Sequence, residues 1–374
     1  MKVLVVIGTR PEAIKMAPVI SRLREEPGTF SVELCATAQH RQMLDQVLAL
    51  FDLAPDIDLD VMRPDQTPND VAMRLFGALD PVLADRRPDW VLIQGDTTTA
   101  MCTALAAFHR GVRVGHVEAG LRTGDLKQPF PEEMNRRVTD LVCDAYFAPT
   151  ARAVAALARE GVSSEKVFLT GNTVVDALLS MARRGGPVEE ENLVLVTAHR
   201  RESFGEPLRR IVGAVARLAR EFPATRFVHV LHPNPNVLAA VEENRGIRNV
   251  ELVQPLDYAT FVRLLRSARL ILTDSGGIQE EAPTFGKPVL VMREKTERPE
   301  AVEAGAARLV GADPERIFAE VSRLLTDEAS RRAMRSAGNP YGDGRAADRI
   351  ARVLAAGSCE PFLAETGRSA PILA

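Results

Sequence analysis

The sequence predicts an α/β protein built from two doubly wound, Rossmann-like parallel-sheet domains. Three observations carry that prediction. Short apolar runs alternate with amphipathic helical stretches along almost the whole chain. The runs end in polar, often glycine-bearing turns, where open parallel sheets bind ligands. The alternation pauses once, at the Gly-Gly-Pro and acidic stretch of residues 183–192, and then restarts. The expected division is therefore an N-terminal domain of residues 1–182 and a C-terminal domain of residues 183–374. A cleft is expected between them, and the last helix is a candidate to pack back on the first domain.

In the first domain, residues 3–7 (VLVVI) form a buried strand, and Pro11 opens a helix with apolar residues at helical spacing. Residues 31–37 give the next strand, followed by the loop AQHRQ and a helix to about Leu50. A short strand over Asp56 to Met62 precedes a helical stretch that Pro81 should break or bend. DWVLIQGD is a strand, TTTAMCTALAAFHRG a helix ended by Gly111, and residues 112–117 a further strand. A helix over about 133–143, the strand AYFAP, a helix, the strand VFLTGN and the helix TVVDALLSMARR complete the half. In the second domain the strands are LVLVTA, RFVHVLH, VELVQP, LILTD and KPVLVM, the last strong one, with helices between them. Residues 314–356 are helical with loops.

Composition narrows the class. Hydrophobic residues at 46% and charged residues at 26% are ordinary for a globular chain. A net charge of -3 argues against nucleic-acid binding as the main purpose. Cys35, Cys102, Cys143 and Cys359 lack CxxC spacing, and the histidines form no metal-ligand pattern. Free thiols and no metal are expected. The first apolar run is too short for a signal-peptide core, and none approaches the ~18 residues of a membrane span. A soluble cytoplasmic protein is the expectation.

Acids and cations gather at predicted strand ends. Asp96 follows one strand in QGDTTTA; Glu118 follows another in HVEAGLRTGD. Glu132 and Glu133 fall in the first turn of the helix after Pro131, where the dipole favours negative charge. Read singly these are loop and helix-start acids; together they suggest one crevice. GTRPEAIK places Arg10 and Lys15 at a helix start, a sound anion site and equally a plain strand–helix turn. It is not the GxGxxG of dinucleotide folds. DSGGIQEEAP exposes Ser275, Gly276 and Gly277 at a helix start, with Glu281 able to accept ribose hydroxyls. The bland alternative is a capped helix with early acids. TAHRRES offers His199, Arg200 and Arg201 to an oxyanion, although a lone histidine is more often structural. His232 in HPNPN, Glu297 and Arg298 in EKTERPEA, and Gln39, His40 and Arg41 in AQHRQ also read as turns or solvated loops.

Taken together, GTRPEAIKMAP, TAQHRQMLDQ, QGDTTT, GHVEAGLRTGD, PFPEEMNRR, TGNTVVDAL, TAHRRESFG, HPNPN, TDSGGIQEEAP, GKPVLVMREKTERPEA and NPYGDG resemble, in order and over nearly the whole chain, the non-hydrolysing UDP-N-acetylglucosamine 2-epimerases of bacteria. The resemblance implies the two-domain GT-B architecture, a homodimer, no nicotinamide cofactor, and allosteric activation by substrate in some members. It implies a product, UDP-N-acetylmannosamine, that feeds surface polysaccharide. By the same match, Arg10, Lys15, His199, Phe261, Ser275, Gly276, Gly277, Glu281 and Arg298 bind the nucleotide, with the backbone near Leu256 meeting uracil. Asp96, Glu118 and Glu132 are the implied catalytic acids, and His199 joins them at the departing UDP. Gln39, His40, Gln42, Glu133, Arg201 and His232 would form a regulatory sugar-nucleotide site. The implied reaction is anti elimination of UDP to 2-acetamidoglucal, then re-addition with a proton delivered to the other face. An epimerase of a related 2,3-diacetamido or uronic-acid sugar nucleotide, a GT-B glycosyltransferase, and a non-catalytic sugar-nucleotide sensor are the alternatives.

Overall fold

The computed structural model describes residues 1–37, 41–63, 65–200 and 203–364, with the side chains of 41–43 outside the description. Gln39, His40 and Arg201 therefore lie outside the described residues, as does the side chain of Gln42. The chain divides into two compact units.

The first unit holds β1 (Lys2–Ile7), β2 (Ser31–Ala36), β3 (Ile57–Asp58), β4 (Trp90–Gln94), β5 (Arg113–Val117), β6 (Ala145–Ala148) and β7 (Val167–Leu169). Their order is β3-β2-β1-β4-β5-β6-β7, with every pairing parallel. Helices cover both faces of such a sheet, so its strands must be apolar on both sides. Val3 to Ile7 and Trp90 to Gln94 are accordingly buried throughout. Leu4, Val6, Val91 and Ile93 pack with Leu75 and Leu79 in one core cluster. Each such side chain stabilises the fold by about 1.5–3 kcal/mol. The chain runs outward from β1 to β3 and returns to place β4 beside β1, so the sheet's switch point lies between β1 and β4.

The second unit holds β8 (Leu193–Thr197), β9 (Arg226–Val230), β10 (Val250–Val253), β11 (Leu270–Thr273), β12 (Val289–Val291) and β13 (Ala307–Leu309). The order is β10-β9-β8-β11-β12-β13, again parallel, with its switch point between β8 and β11. Val194, Val196, Leu270 and Leu272 build its core with Ile211 and Val215 from the helix Glu206–Glu221.

Several expectations need adjusting. The division falls inside the helix Thr173–Arg184, between Ala177 and Leu178, not at residue 182. Residues Gly342–Leu363 belong to the first unit. There Asp176 caps the helix Ala346–Ala356, accepting from the amides of Ala347 at 2.9 Å and Ala346 at 3.3 Å. Arg22 of the helix Arg10–Arg24 bonds Asp348 at 2.6 Å, and Arg349 bonds Asp343 at 2.7 Å. Burial drives the Asp176 carboxyl up to about 7 against the pull of those amides. The helix Pro68–Arg86 runs through Pro81 unbroken. Gly77, whose carbonyl loses its partner to the proline, is exposed to solvent. The strand expected over 56–62 shrinks to Ile57–Asp58, and β13 is an additional strand after the expected last one.

Cys35, Cys102 and Cys143 are buried free thiols, and burial raises each one's pKa, Cys35 and Cys102 to about 12. None is a ready nucleophile. No helix among the described residues is long and apolar enough to cross a membrane.

Candidate active site

The candidate residues of the first unit stand at the carboxyl ends of β1, β4 and β5. After β1 the chain turns at Gly8, where a Cβ would lie 2.5 Å from the hydroxyls of Thr37 and Thr99. Only glycine fits that passage. Thr9 then caps the helix Arg10–Arg24 in a capping box with Glu12. Glu12 is buried and accepts from the amides of Gly8 at 3.0 Å and Thr9 at 2.6 Å and from Thr97 Oγ1 at 2.7 Å. Burial nonetheless raises its pKa. This anchorage fixes the helix that carries Arg10, half-buried at its first position, and Lys15.

Lys15 Nζ forms an ion pair with Glu118 Oε2, which also accepts from Gln94 Nε2 at 3.0 Å. Glu118 is 8% exposed, and its backbone is left-handed at φ 66°. A non-glycine residue there is strained, and such strain concentrates at functional sites. Its amide donates to the Phe147 carbonyl at 3.0 Å, so neighbouring β6 holds the turn.

Asp96 leaves the end of β4 and is ion-paired by Arg136, while its carbonyl accepts from Asn135 Nδ2 at 3.0 Å. Both partners lie on the helix Glu132–Asp140. Glu132, its first residue, keeps a buried Oε2 without a hydrogen-bond partner among the described residues. A buried orphan carboxylate oxygen calls for a ligand or a proton. Glu133 does different work. It is fully buried, accepts from the amides of Thr123 at 3.0 Å and Gly124 at 3.1 Å, and meets Arg136 at 3.3 Å. It ties down the loop after Glu118 rather than presenting its carboxylate to a ligand.

The second unit repeats the logic with opposite charge. His199 follows β8, and Asp274 follows the adjacent β11. Asp274 is fully buried, and its Oδ2 accepts from the amides of His199 at 2.8 Å and Arg200 at 2.9 Å. Its Oδ1 faces His199 Nδ1 at 3.5 Å. The His199 ring stacks on His232 from the end of β9, with centroids 5.4 Å apart and planes 10° from parallel. Burial lowers the His199 pKa despite Asp274, with His232 and Arg200 adding to the lowering. The ring is therefore neutral at neutral pH.

Ser275, Gly276 and Gly277 open the short helix Gly276–Glu281 directly after Asp274. Arg298 lies over this turn, where a Cβ on Gly276 would come within 2.5 Å of an Arg298 guanidinium nitrogen. The guanidinium is held by Glu280 at 2.6 Å and Glu297 at 3.0 Å. Glu297 also receives Arg200 at 3.0 Å and Arg293 at 2.7 Å. Burial works to raise the Glu297 pKa, but Arg298, Arg200 and Arg293 override it and hold the carboxyl at about 2. Three arginines thus sit on one carboxylate beside a glycine turn, suited to an oxyanion. Glu281 ends this helix. Phe261 packs against the second unit's apolar cluster, and Leu256 is half-buried in the turn before the helix Tyr258–Ser267.

The structure thus groups Lys15 with Glu118, Asp96 and Glu132 with the helix Glu132–Asp140, and His199, His232, Ser275–Gly277 and Arg298 around β8 and β11. Sequence reading overlooked Asp274, Arg136, Gln94 and Glu280. Asp274 carried the one usable signal: an acid directly after a strand, ahead of Ser-Gly-Gly.

A family model described as UDP-N-acetylglucosamine 2-epimerase matches residues 21–355. The chain is 50% identical over 370 residues to the UDP-N-acetylglucosamine 2-epimerase of Salmonella typhimurium, covering 95% of this chain and 98% of that protein. The Escherichia coli K12 enzyme of the same name gives the same figures, 50% over 370 residues. Among solved structures, the UDP-GlcNAc 2-epimerase of Neisseria meningitidis bound to UDP-GlcNAc superposes with a TM-score of 0.88 at 44% identity, covering 95% of this chain and 99% of that one.

Proposed function

On the premise that the chain belongs to the UDP-N-acetylglucosamine 2-epimerase family, we propose that it inverts C2 of UDP-N-acetylglucosamine by eliminating and re-adding UDP. The enzyme class follows from the family. The route rests on one observation above the others: two carboxylates directly after β4 and β5, each held by a cation, and a third with a partnerless oxygen on the helix whose Arg136 holds Asp96.

The C2 hydrogen of the sugar has no neighbouring carbonyl to acidify it. It can leave as a proton if the C1–O bond to UDP breaks and positive charge builds at C1. Two groups must then move protons on opposite faces of C2. Asp96 and Glu118 each stand against a fixed cation, Arg136 and Lys15, that orients the carboxylate. Glu132 holds an oxygen with no partner, free to give or take a proton. Departing UDP needs preorganised positive charge. Arg298 and the Ser275–Gly277 turn supply it in the second unit, with neutral His199 as a hydrogen-bond donor. Arg10 adds a cation from the first unit, and Glu281 is assigned to the ribose. Elimination needs no hydride carrier, so no nicotinamide is called for.

Two further parts of the reading are a homodimer and a regulatory site for a second sugar nucleotide. Phe108 and Leu141, 57% and 82% exposed on the first unit, are apolar side chains that a partner copy would cover. Light scattering measures the former; a sigmoidal response to substrate reports the latter. A cytoplasmic location suits the free thiols and the nucleotide substrate.

The decisive experiment follows the reaction in heavy water by NMR with no acceptor present. Deuterium should enter C2 of the UDP-N-acetylmannosamine formed, and none should enter C3 or C4. An isotope label in the C1–O–P bridge should scramble into the non-bridging phosphate oxygens. Retention of the C2 proton, or an intact bridge label at full epimerisation, excludes elimination. Turnover only when an acceptor is added would instead identify a glycosyltransferase.

A further inference from the structure

Beneath the acids of the first unit lies a layer of charge that the reaction as proposed does not use. His116 stands on β5 two residues before Glu118 and is fully buried. Its Nδ1 is 2.6 Å from Asp140 Oδ1, and its Nε2 is 2.8 Å from the carbonyl of Gly95. Asp140 is 4% exposed, and its other oxygen accepts from Arg122 at 2.6 Å. Arg122 in turn grips both oxygens of Glu160, at 2.9 Å and 2.6 Å. Burial works to raise the Asp140 pKa, but His116 and Arg122 outweigh it and hold the carboxyl below its ordinary value, hence ionised at neutral pH.

Hydrogen-bond capacity then decides the state of the ring. A carbonyl oxygen only accepts, and so does an ionised carboxylate. Both ring nitrogens of His116 stand within reach of an acceptor, and a ring that donates to both carries both protons. His116, Asp140 and Cys143 come close enough together to suggest a metal site. The ring nitrogens, however, already face Asp140 and the Gly95 carbonyl, and Cys143 Sγ donates to the Thr139 carbonyl at 3.1 Å.

The carbonyl that His116 grips belongs to the residue before Asp96. Gly95 has φ 72°, and its amide donates to the Val117 carbonyl at 3.0 Å. The turn that aims Asp96 is therefore fixed on one side by β5 and on the other by Arg136 and Asn135. We infer that His116 is a positioning residue for Asp96, bridging Asp140 to the Gly95 carbonyl so that the carboxylate meets the substrate in reacting geometry. This rests on the role proposed for Asp96. A charge-assisted bond to a carbonyl is stronger than a neutral one, and small displacements of a reacting group cost rate steeply.

Two amide substitutions separate the ends of the ring. A glutamine nitrogen reaches about where Nε2 stands; an asparagine nitrogen reaches only Nδ1. His116→Gln should keep turnover within about tenfold, whereas His116→Asn should lower kcat by ~10²-fold. KM for UDP-N-acetylglucosamine and UDP affinity should change little in either variant. Equal losses in both variants that track their melting temperatures would mean a purely structural histidine and overturn the inference, as would normal kcat in His116→Asn. Should the variants not fold, ¹⁵N NMR of the unmodified protein at pH 7 decides. Both His116 nitrogens are expected to carry protons, and a bare ring nitrogen refutes the bridge. Failure of the unmodified protein to exchange C2 hydrogen with heavy water would instead count against the epimerase route, leaving the bridge to the NMR result.

Discussion

Glu118→Gln removes one charge from the first unit without changing side-chain shape, and its consequences can be sized. Lys15 and Glu118 side chains are 14% and 6% exposed, so water screens the pair weakly. Removing one partner of a fully buried pair costs about 3–5 kcal/mol. Here the amide oxygen still accepts from Lys15 and Gln94, so the loss is closer to that of one charged hydrogen bond, about 2 kcal/mol. For a unit of this size that lowers Tm by roughly 4–8 °C. Turnover should fall more than stability suggests, by at least ~10²-fold, because an acid/base group is gone. Lys15→Gln combined with Glu118→Gln should be less destabilising than the two single losses added, a coupling of ~1 kcal/mol or more. The left-handed backbone supplies an internal control. Glu118→Gly should be more stable than Glu118→Ala by about 1 kcal/mol, since only glycine adopts φ 66° without strain. The assays are NMR turnover of UDP-N-acetylglucosamine and denaturant melts. Near-normal turnover in Glu118→Gln would make the residue a positioning or structural group. Additive stabilities in the Lys15 cycle would remove the energetic case for the pair.

Asp96→Asn and Glu132→Gln should each lower turnover at least ~10²-fold while UDP affinity by calorimetry largely survives; either one retaining near-normal turnover is not an acid/base group. Glu281→Ala should weaken UDP binding by about 1.5–3 kcal/mol per ribose bond lost, and unchanged affinity in a folded variant would sink the ribose assignment. Asp176 yields a pH test. Its folded pKa of about 7 lies above the ordinary 3.8, so its stabilising contribution is full below 3.8 and lost as pH rises through 7. Asp176→Asn should therefore gain Tm over the unmodified protein as pH climbs from 4 to 8, with a gain bounded at about 4 kcal/mol at ~1.36 kcal/mol per pH unit. A Tm difference that stays constant across that range would refute the perturbed carboxyl.

Much of this protein is local and could be read from the chain. Apolar runs such as Val3–Ile7 and Leu193–Thr197 must be buried on both faces, which requires parallel sheets covered by helices. The acids and cations stand directly after such strands, so their collection at two sheet edges follows from the fold class. Pairings between distant segments do not follow. Lys15, read as a nucleotide ligand, is seen against Glu118, 103 residues away, because β1, β4 and β5 lie side by side. The return of Gly342–Leu363 to the first unit depends on Asp176, Arg22 and Thr170 meeting partners far along the chain. The family resemblance gives Glu132 and Glu133 different roles, but only the folded chain shows their different settings. The two acids are alike in sequence, but successive helical residues point about 100° apart. That rotation buries Glu133 against the loop amides and leaves Glu132 with an oxygen that has no partner among the described residues.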